Sequence, residues 1–236
     1  MATSLLTTFN LTRDQIIRAS YEDLGVAVAG EELEPEQIQV AQIAFNSLAK
    51  RYSMQGMHLW KRGRYSLTTV DGTASYTIAP TLGTGTEKAM RILHCSRKNS
   101  DDAEVELTNY SLQEYDNLSD KTTTGTPTIY YYEPTRTSGT LYLWPVPDAT
   151  FAANDTIEII YEQAIQDMDV GNEDIDFPSE WYDALTLNLA YRLSGKYGTL
   201  DYRERRLLRD DAERALEEAK EWDTEDSSIY FQPDFD

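Results

Sequence analysis

The sequence predicts an α+β protein, in which a helical bundle of about four helices carries an inserted small antiparallel β-sheet and an extended C-terminal tail. Apolar residues recur at helical spacing up to about residue 62 and again from about residue 166, but they alternate at strand spacing in between. Residues 227–236 show neither helical nor strand spacing. The predicted organisation is therefore 1–62 for the N-terminal helices, 63–165 for the β-rich insertion, 166–226 for the C-terminal helices and 227–236 for the tail.

Two helices are predicted before the sheet. Thr12 is expected to cap a helix over residues 13–24, because the apolar residues of this stretch share one face. Pro35 suits the first turn of a second helix, where several glutamates crowd the positive end. The apolar positions of this second helix continue at helical spacing toward Trp60, which indicates a long helix with one broad buried face.

The middle of the chain has the alternation of strands. It begins at Tyr65, and the dipeptide Asp71-Gly72 predicts a hairpin. Ser111 and Glu114 have the spacing of a capping box, which predicts a short helix lying across the sheet. The other predicted strands are 90–95, 128–132, 140–144 and 156–161.

Two different helices are predicted after the sheet. Pro178 suits the first turn of a strongly apolar helix that ends near Gly195. The last helix, about 202–222, has only a narrow apolar stripe, made of Leu207, Leu208, Ala212, Ala215, Leu216 and Ala219. Such a helix packs on one side, so its charged side is free for solvent or for a neighbouring molecule. The charged residues that we expect at an interface are Arg205, Arg206, Arg209, Glu213 and Glu217.

The tail after the last helix contains large apolar residues next to a proline, namely Ile229, Tyr230, Phe231 and Phe235. Exposed apolar side chains of this kind need a surface to cover them. Two alternatives remain open: the tail folds back onto its own protein, or it docks onto a partner.

The chain of 236 residues has a formal net charge of −20 and a pI near 4.4. We do not expect so acidic a protein to bind nucleic acid over a broad surface, because phosphate backbones attract clustered Lys and Arg. An acidic wall could still surround DNA and let it slide, since it repels phosphates. The alternative is that the acidity serves solubility alone.

Membrane insertion and disulfide bonding are not expected. The longest apolar runs are only a few residues, and the first residues lack the basic segment of a secretory leader, so the protein is predicted to be made in the cytoplasm. Cys95 is the single cysteine, and its strand setting predicts a small buried hydrophobe without a redox role.

No catalytic, cofactor-binding or metal-binding residue is predicted. His58 and His94 are the only histidines, and they form neither a metal-binding pair nor part of a Ser-His-Asp set. Carboxylates alternate over 167–176 as in a calcium loop, but Gly171 occupies a ligand position, which favours a solvated acidic linker. The segment around Gly83 lacks the Gly-Lys-Ser/Thr of a phosphate-binding loop.

A cluster of aromatic residues could form a stacking platform for carbohydrate or single-stranded nucleic acid: Tyr130, Tyr131, Tyr132, Tyr142, Trp144 and Tyr161. Strand alternation, however, puts Tyr131 on the face opposite Tyr130 and Tyr132. The cluster is therefore expected to be divided between core and surface, with packing as its main role.

Three stretches carry a resemblance to a known family: the strand end Leu141-Tyr-Leu-Trp-Pro-Val-Pro147, the helix start Asp176-Phe-Pro-Ser-Glu-Trp181, and the acidic last helix with its aromatic tail. With the order of elements along the chain, they resemble the bacteriophage head-to-tail adaptors, the podovirus tail accessory factor and head-completion connector family. The resemblance implies a structural virion protein without cofactors, located in the neck between head and tail and assembled in the host bacterial cytoplasm.

In that family, a ring of about twelve copies binds the portal ring, extends the DNA channel without binding DNA specifically, and provides a platform for tail or nozzle proteins. The resemblance implies that the charged positions of the last helix and the aromatic tail contact the portal or a neighbouring copy.

Two other functions are left open. A peptidoglycan-cleaving virion enzyme would need a cleft with two carboxylates of displaced pKa, and a few adaptors of this type have been credited with lytic activity. A carbohydrate-binding tail component would need an exposed row of aromatic rings.

Overall fold

The computed structural model describes residues 9–28, 30–55, 59–78 and 89–223. These residues form six α-helices: α1 (Arg13–Asp23), α2 (Pro35–Gln55), α3 (Leu112–Asp116), α4 (Ala149–Asn154), α5 (Tyr182–Tyr197) and α6 (Tyr202–Trp222). They also form ten strands: β1 (Arg62–Thr68), β2 (Ser75–Ile78), β3 (Ala89–Lys98), β4 (Glu104–Glu106), β5 (Thr108–Asn109), β6 (Thr124–Gly125), β7 (Ile129–Pro134), β8 (Gly139–Trp144), β9 (Val146–Pro147) and β10 (Thr156–Gln163). Short 3-10 turns at Leu59–Lys61 and Ser179–Trp181 precede β1 and α5.

The described chain divides into two compact units. The helical unit contains the residues up to Trp60 and those from Gln166 onward, and the β unit is Lys61–Ile165. No described helix combines the length and the apolar content that crossing a bilayer requires.

Helix α5 is the centre of the helical unit, because α1, α2 and α6 each pack against it. Its side chains at Leu185, Leu189, Ala190 and Leu193 are fully buried, and Trp181 in the turn before it is buried as well. A helix surrounded in this way must be apolar on several faces, which explains why its sequence is the most apolar of the long helices.

The predicted bundle of about four helices with one small antiparallel sheet is wrong, although the α+β class is confirmed. The described residues contain six helices and ten strands in three sheets. Helix α4, capped by Asp148 and anchored by buried Phe151, lies where the sequence predicted only a loop. The helices of the helical unit are arranged around α5 because it alone offers apolar side chains to three neighbours, whereas α6 buries mainly alanines.

A buried arginine at the start of α1 holds the acidic segment that precedes α5. The side chain of Arg13 is 7% exposed, and its Nη1 donates hydrogen bonds to the carbonyl oxygens of Asp169 at 2.7 Å and Met168 at 3.4 Å. Asp14 provides the counter-charge, with its Oδ1 2.8 Å from Arg13 Nη2. The Asp14 amide donates to the carbonyl of Gly171 at 3.2 Å. The segment predicted to be a solvated linker is therefore fastened to α1.

The same acidic segment is also bound to α2. The Met168 amide donates to Asn46 Oδ1 at 2.8 Å, and Lys50 Nζ lies 2.7 Å from Asp167 Oδ1. The segment closes on itself where the Gln166 amide donates to Asp176 Oδ2 at 2.9 Å. These contacts fix the path by which the chain enters α5.

Three sheets make up the β unit. The first has the strand order β1-β10-β3-β4 and is antiparallel throughout. The second has the order β2-β8-β7-β5, in which β5 is parallel to β7. The third is the short parallel pair β6-β9. The sheets are therefore partly parallel, contrary to the predicted antiparallel sheet.

The predicted hairpin around Asp71-Gly72 is wrong, because β1 pairs with β10 and β2 pairs with β8. The turn itself exists, with Gly72 at a φ of 71° and its amide bonded to the carbonyl of Pro147. The turn carries the chain from one sheet to the other. The buried residues of both sheets then meet in one core that includes Leu67, Cys95, Leu141, Leu143, Phe151, Ile157 and Ile159.

Cys95 is 1% exposed, which confirms the prediction of a buried small hydrophobe. Burial raises the pKa of its thiol to about 12.

Both predicted N-caps are also confirmed, since Thr12 with Gln15 and Ser111 with Glu114 form complete capping boxes.

We predict that Arg13→Met lowers the free energy of unfolding by about 2–3 kcal/mol, because the carbonyls of Met168 and Asp169 lose a charged donor. Chemical denaturation followed by circular dichroism measures this loss. Arg18→Met on the same helix is the control, since the Arg18–Glu22 pair is partly exposed and its removal should change stability by less than about 1 kcal/mol. Equal losses for both variants would contradict a special role for Arg13.

We predict that Gly139→Ala destabilises the protein by about 1–3 kcal/mol, because a Cβ there would overlap the ring of Tyr132. Tyr132 cannot move away freely, since its hydroxyl donates to the carbonyl of Ala89 at 2.9 Å. In a Tyr132→Ala background, the same substitution should cost less than about 1 kcal/mol. Additive losses in a double-mutant cycle would show that the ring is not the obstacle.

Candidate functional site

Helix α6 packs along α5 by a stripe of small residues. Ala212, Ala215 and Ala219 are the buried positions, which confirms this part of the predicted stripe, whereas Leu207 is 56% exposed. The helix begins at an Asp201 capping box closed by Glu204. Alanines allow close approach over one face, so most of the long side chains of α6 project into solvent.

A groove of about 340 Å³ lies between α5 and the first half of α6, lined by Tyr191, Tyr202, Arg205, Arg206 and Arg209. All three arginines are exposed. The guanidinium carbon of Arg205 lies 5.7 Å from the centre of the Tyr191 ring, a cation-π distance. We call these five residues the arginine groove. The groove combines planar cationic donors with aromatic walls, which suits carboxylates next to aromatic side chains.

The charged positions predicted as an interface lie on the exposed part of α6, and some of them pair within the helix. Arg209 Nη2 is 2.9 Å from Asp210 Oδ1, and Arg209 Nε is 3.7 Å from Glu213 Oε1. Arg206 Nε approaches Asp210 Oδ2 only to 4.0 Å. The hydrogen bonds that Arg209 donates to Asp210, together with the negative charge of Asp210, raise the pKa of the Arg209 guanidinium. Glu217 is exposed further along the helix.

Arg205 differs from the other two arginines. Among the described residues its guanidinium forms no ion pair; it lies over the Tyr191 ring and close to Gly195. It is therefore the cation of the groove that is most available to an incoming anion. The aromatic tail residues Ile229, Tyr230, Phe231 and Phe235 lie outside the described residues.

Sequence reasoning missed Tyr191, Tyr202 and Asp210. The i, i+4 spacing of Arg206 and Asp210 was a readable signal for an intrahelical pair. Tyr191 could not be assigned to the groove from sequence, because that requires the side-by-side packing of α5 and α6.

The aromatic cluster of the β unit is divided between core and surface, as predicted. Tyr130 and Tyr161 are buried, and Tyr132 is partly buried against the core. Tyr131 and Tyr142 are opposite each other on the other face, with ring centres 5.6 Å apart and stacked.

Helix α3 covers part of this outer face. Tyr115 stacks on Tyr131 at 5.5 Å, and Lys121 Nζ lies 4.9 Å from the centre of the Tyr115 ring. Trp144 donates its indole N–H to the carbonyl of Asp120 at 2.9 Å. The ring faces are therefore used within the protein, which does not favour an open platform for a sugar or a base.

Among the residues considered for enzyme chemistry, the structure describes His94 and the acidic segment 167–176, which belong to different units. Among the described residues, no group of three or more His, Cys, Asp and Glu side chains is arranged to hold a metal ion. His94 Nδ1 lies 3.7 Å from Glu106 Oε1 in the β unit, while His58 and the segment around Gly83 lie outside the described residues. Desolvation, with the charges of Asp183 and Glu22, raises the pKa of the Asp23 carboxyl group, but Asp23 does not line the arginine groove.

A comparison with protein families assigns the chain. The family model described as SU10 adaptor protein matches residues 12–232, which include every described helix and strand. No curated protein sequence matches the chain. The family match agrees with the expected resemblance to phage adaptors. This chain therefore belongs to the SU10 adaptor protein family, a structural family of bacteriophage adaptors.

Proposed function

We propose that this protein is a head-to-tail adaptor in the neck of the virion, of the podovirus tail accessory and head-completion type. It binds the portal ring, extends the DNA channel, and provides the attachment platform for tail or nozzle proteins. The observation that carries this proposal is the family match over residues 12–232.

The proposed assembly is a ring of about twelve copies that matches the portal. Association with the portal and with neighbouring copies stabilises the assembled form by mass action. A closed ring needs two different contact surfaces on each copy. For these we propose the exposed face of α6 and the sequence segment 224–236.

The interface that we propose comprises the exposed residues Arg205, Arg206, Arg209, Glu213 and Glu217 of α6, with Ile229, Tyr230, Phe231 and Phe235 of the tail. Individual exposed ion pairs contribute little free energy, so the charged positions would set the register of neighbouring copies. The aromatic tail would supply most of the buried apolar area.

The net charge of −20 supports a passive role toward DNA. A lumen lined by acidic side chains repels phosphates, so the duplex passes without specific binding. We propose no catalytic role and no cofactor. In the cleft beside α1, the Asp14 carboxylate is already bound by Arg13, and Glu31 and Glu32 lie on an exposed connection.

The test is the mass of the complex formed by the full-length protein with its cognate portal ring, measured by native mass spectrometry or light scattering. We expect a fixed stoichiometry of about twelve copies per ring. A chain truncated after Asp226 should bind the portal at least tenfold more weakly, because it lacks the aromatic tail.

Arg136→Glu in the β unit serves as the matched control, since this arginine is exposed and lies outside the proposed interface. This variant should join the portal as the wild type does. If the full-length protein does not bind the portal at all, the proposal is wrong, and digestion of purified peptidoglycan becomes the next assay.

A further inference from the structure

We propose that the arginine groove binds the acidic, aromatic segment 224–236 of a second copy of this chain, so that copies associate head to tail. The inference rests on the ring assembly proposed above and specifies the contact between neighbouring copies.

The groove has the donors that carboxylates require. Arg205, Arg206 and Arg209 are exposed on successive turns of one side of α6, and guanidinium groups bind carboxylates through paired, charge-assisted hydrogen bonds. Four of the 21 Lys and Arg residues of the chain lie within residues 203–209. The charge of the groove therefore selects for an acidic partner.

The groove also has apolar surface for aromatic side chains. Tyr202 is 85% exposed at its edge, and Tyr191 forms the wall on α5. Exposed tyrosine next to arginine is typical of the centre of a protein interface. The preferred partner thus carries aromatic residues as well as acids.

The segment 224–236 has this chemistry. It contains the acids Glu225, Asp226, Asp234 and Asp236, it has no Lys or Arg, and its apolar residues are Ile229, Tyr230, Phe231 and Phe235. It follows α6 directly. Thirteen residues can span roughly 40 Å when extended, which is enough to reach an adjacent molecule.

The distribution of charge along α6 argues for the groove of a second copy. The first half of the helix carries the arginines, whereas the second half, from Asp210 to Asp223, is dominated by acids. To reach its own groove, the segment would have to run back about 20 Å along this acidic half. Like charges would oppose that path. Binding to the groove of a neighbouring copy, placed near the end of α6, avoids this repulsion.

An end-to-end polarity of this kind makes the contact heterologous, because the surface used on one copy differs from the surface used on the next. Repeated heterologous contacts produce a closed ring when the rotation between copies closes. The charge pattern of α6 therefore gives each copy one donor surface and one acceptor surface.

The experiment measures binding of a fluorescent peptide with the sequence of residues 224–236 by anisotropy. The receptor is the full-length protein whose own segment has reversed charge: Glu225→Lys, Asp226→Lys and Asp234→Lys. We expect saturable binding that weakens as salt increases. Adding Arg205→Glu, Arg206→Glu and Arg209→Glu should weaken it at least tenfold. The control Arg203→Glu with Arg214→Glu, which changes exposed arginines of α6 outside the groove, should leave it within about twofold.

A second measurement distinguishes a neighbouring copy from the same copy. The groove-reversed and segment-reversed proteins are mixed, and their mass is measured by sedimentation. Mixing should restore association that neither protein shows alone, because each then offers a complementary surface to the other. If the mixture remains monomeric and wild-type protein does not bind the peptide, the segment occupies its own groove and the proposal is overturned. Peptide binding that ignores the groove substitutions overturns it as well.

The two proposals fail separately. A groove-reversed protein that still forms complete rings on the portal would remove this inference and leave the adaptor function in place. A wild-type protein that binds the peptide but never binds the portal would overturn the proposed adaptor function and leave the groove contact in place. Circular dichroism spectra and melting temperatures of all variants verify that the exposed substitutions have not unfolded the protein.

Discussion

The helical unit depends on one buried cation in a very acidic chain. Arg13 lies at the first turn of α1, yet its hydrogen bonds go to carbonyl groups of residues far away in the sequence, at Met168 and Asp169. An arginine so deeply buried is tolerated only when its donors are satisfied and its charge is balanced, and Asp14 provides the balance. The contact joins the first helix to the segment that leads into α5.

The central position of α5 has consequences for the rest of the unit. Since α1, α2 and α6 all pack on it, most of the apolar side chains of α5 are buried inside the protein. Helix α6 contributes alanines to this packing and keeps its long charged side chains outside. Because α5 supplies most of the core, α6 can leave its charged face exposed to partners. Membership of an adaptor family implies contacts with other phage head or tail proteins.

Local features of the fold could be predicted from the sequence, because their causes are local. The caps at Thr12 and Ser111 depend on residues three positions apart, and the opposite faces of Tyr130 and Tyr131 follow from strand alternation. The pairing of strands could not be predicted, since β10 inserts between β1 and β3 through contacts between residues distant in the sequence. The charged face of α6 was recognisable because it depends on spacing within one helix. The contribution of Tyr191 to the groove was not, because it depends on the packing of α5 against α6.

The burial of Cys95 makes this protein convenient for fluorescence work. It is the single cysteine of the chain, and with a thiol pKa of about 12 its reactive thiolate is scarce at neutral pH, at a fraction of ~10⁻⁵. A maleimide dye will therefore modify a cysteine introduced at an exposed position, such as Arg203, much faster than the native one. Energy transfer between dyes on separate molecules can then follow the meeting of two subunits without replacing Cys95.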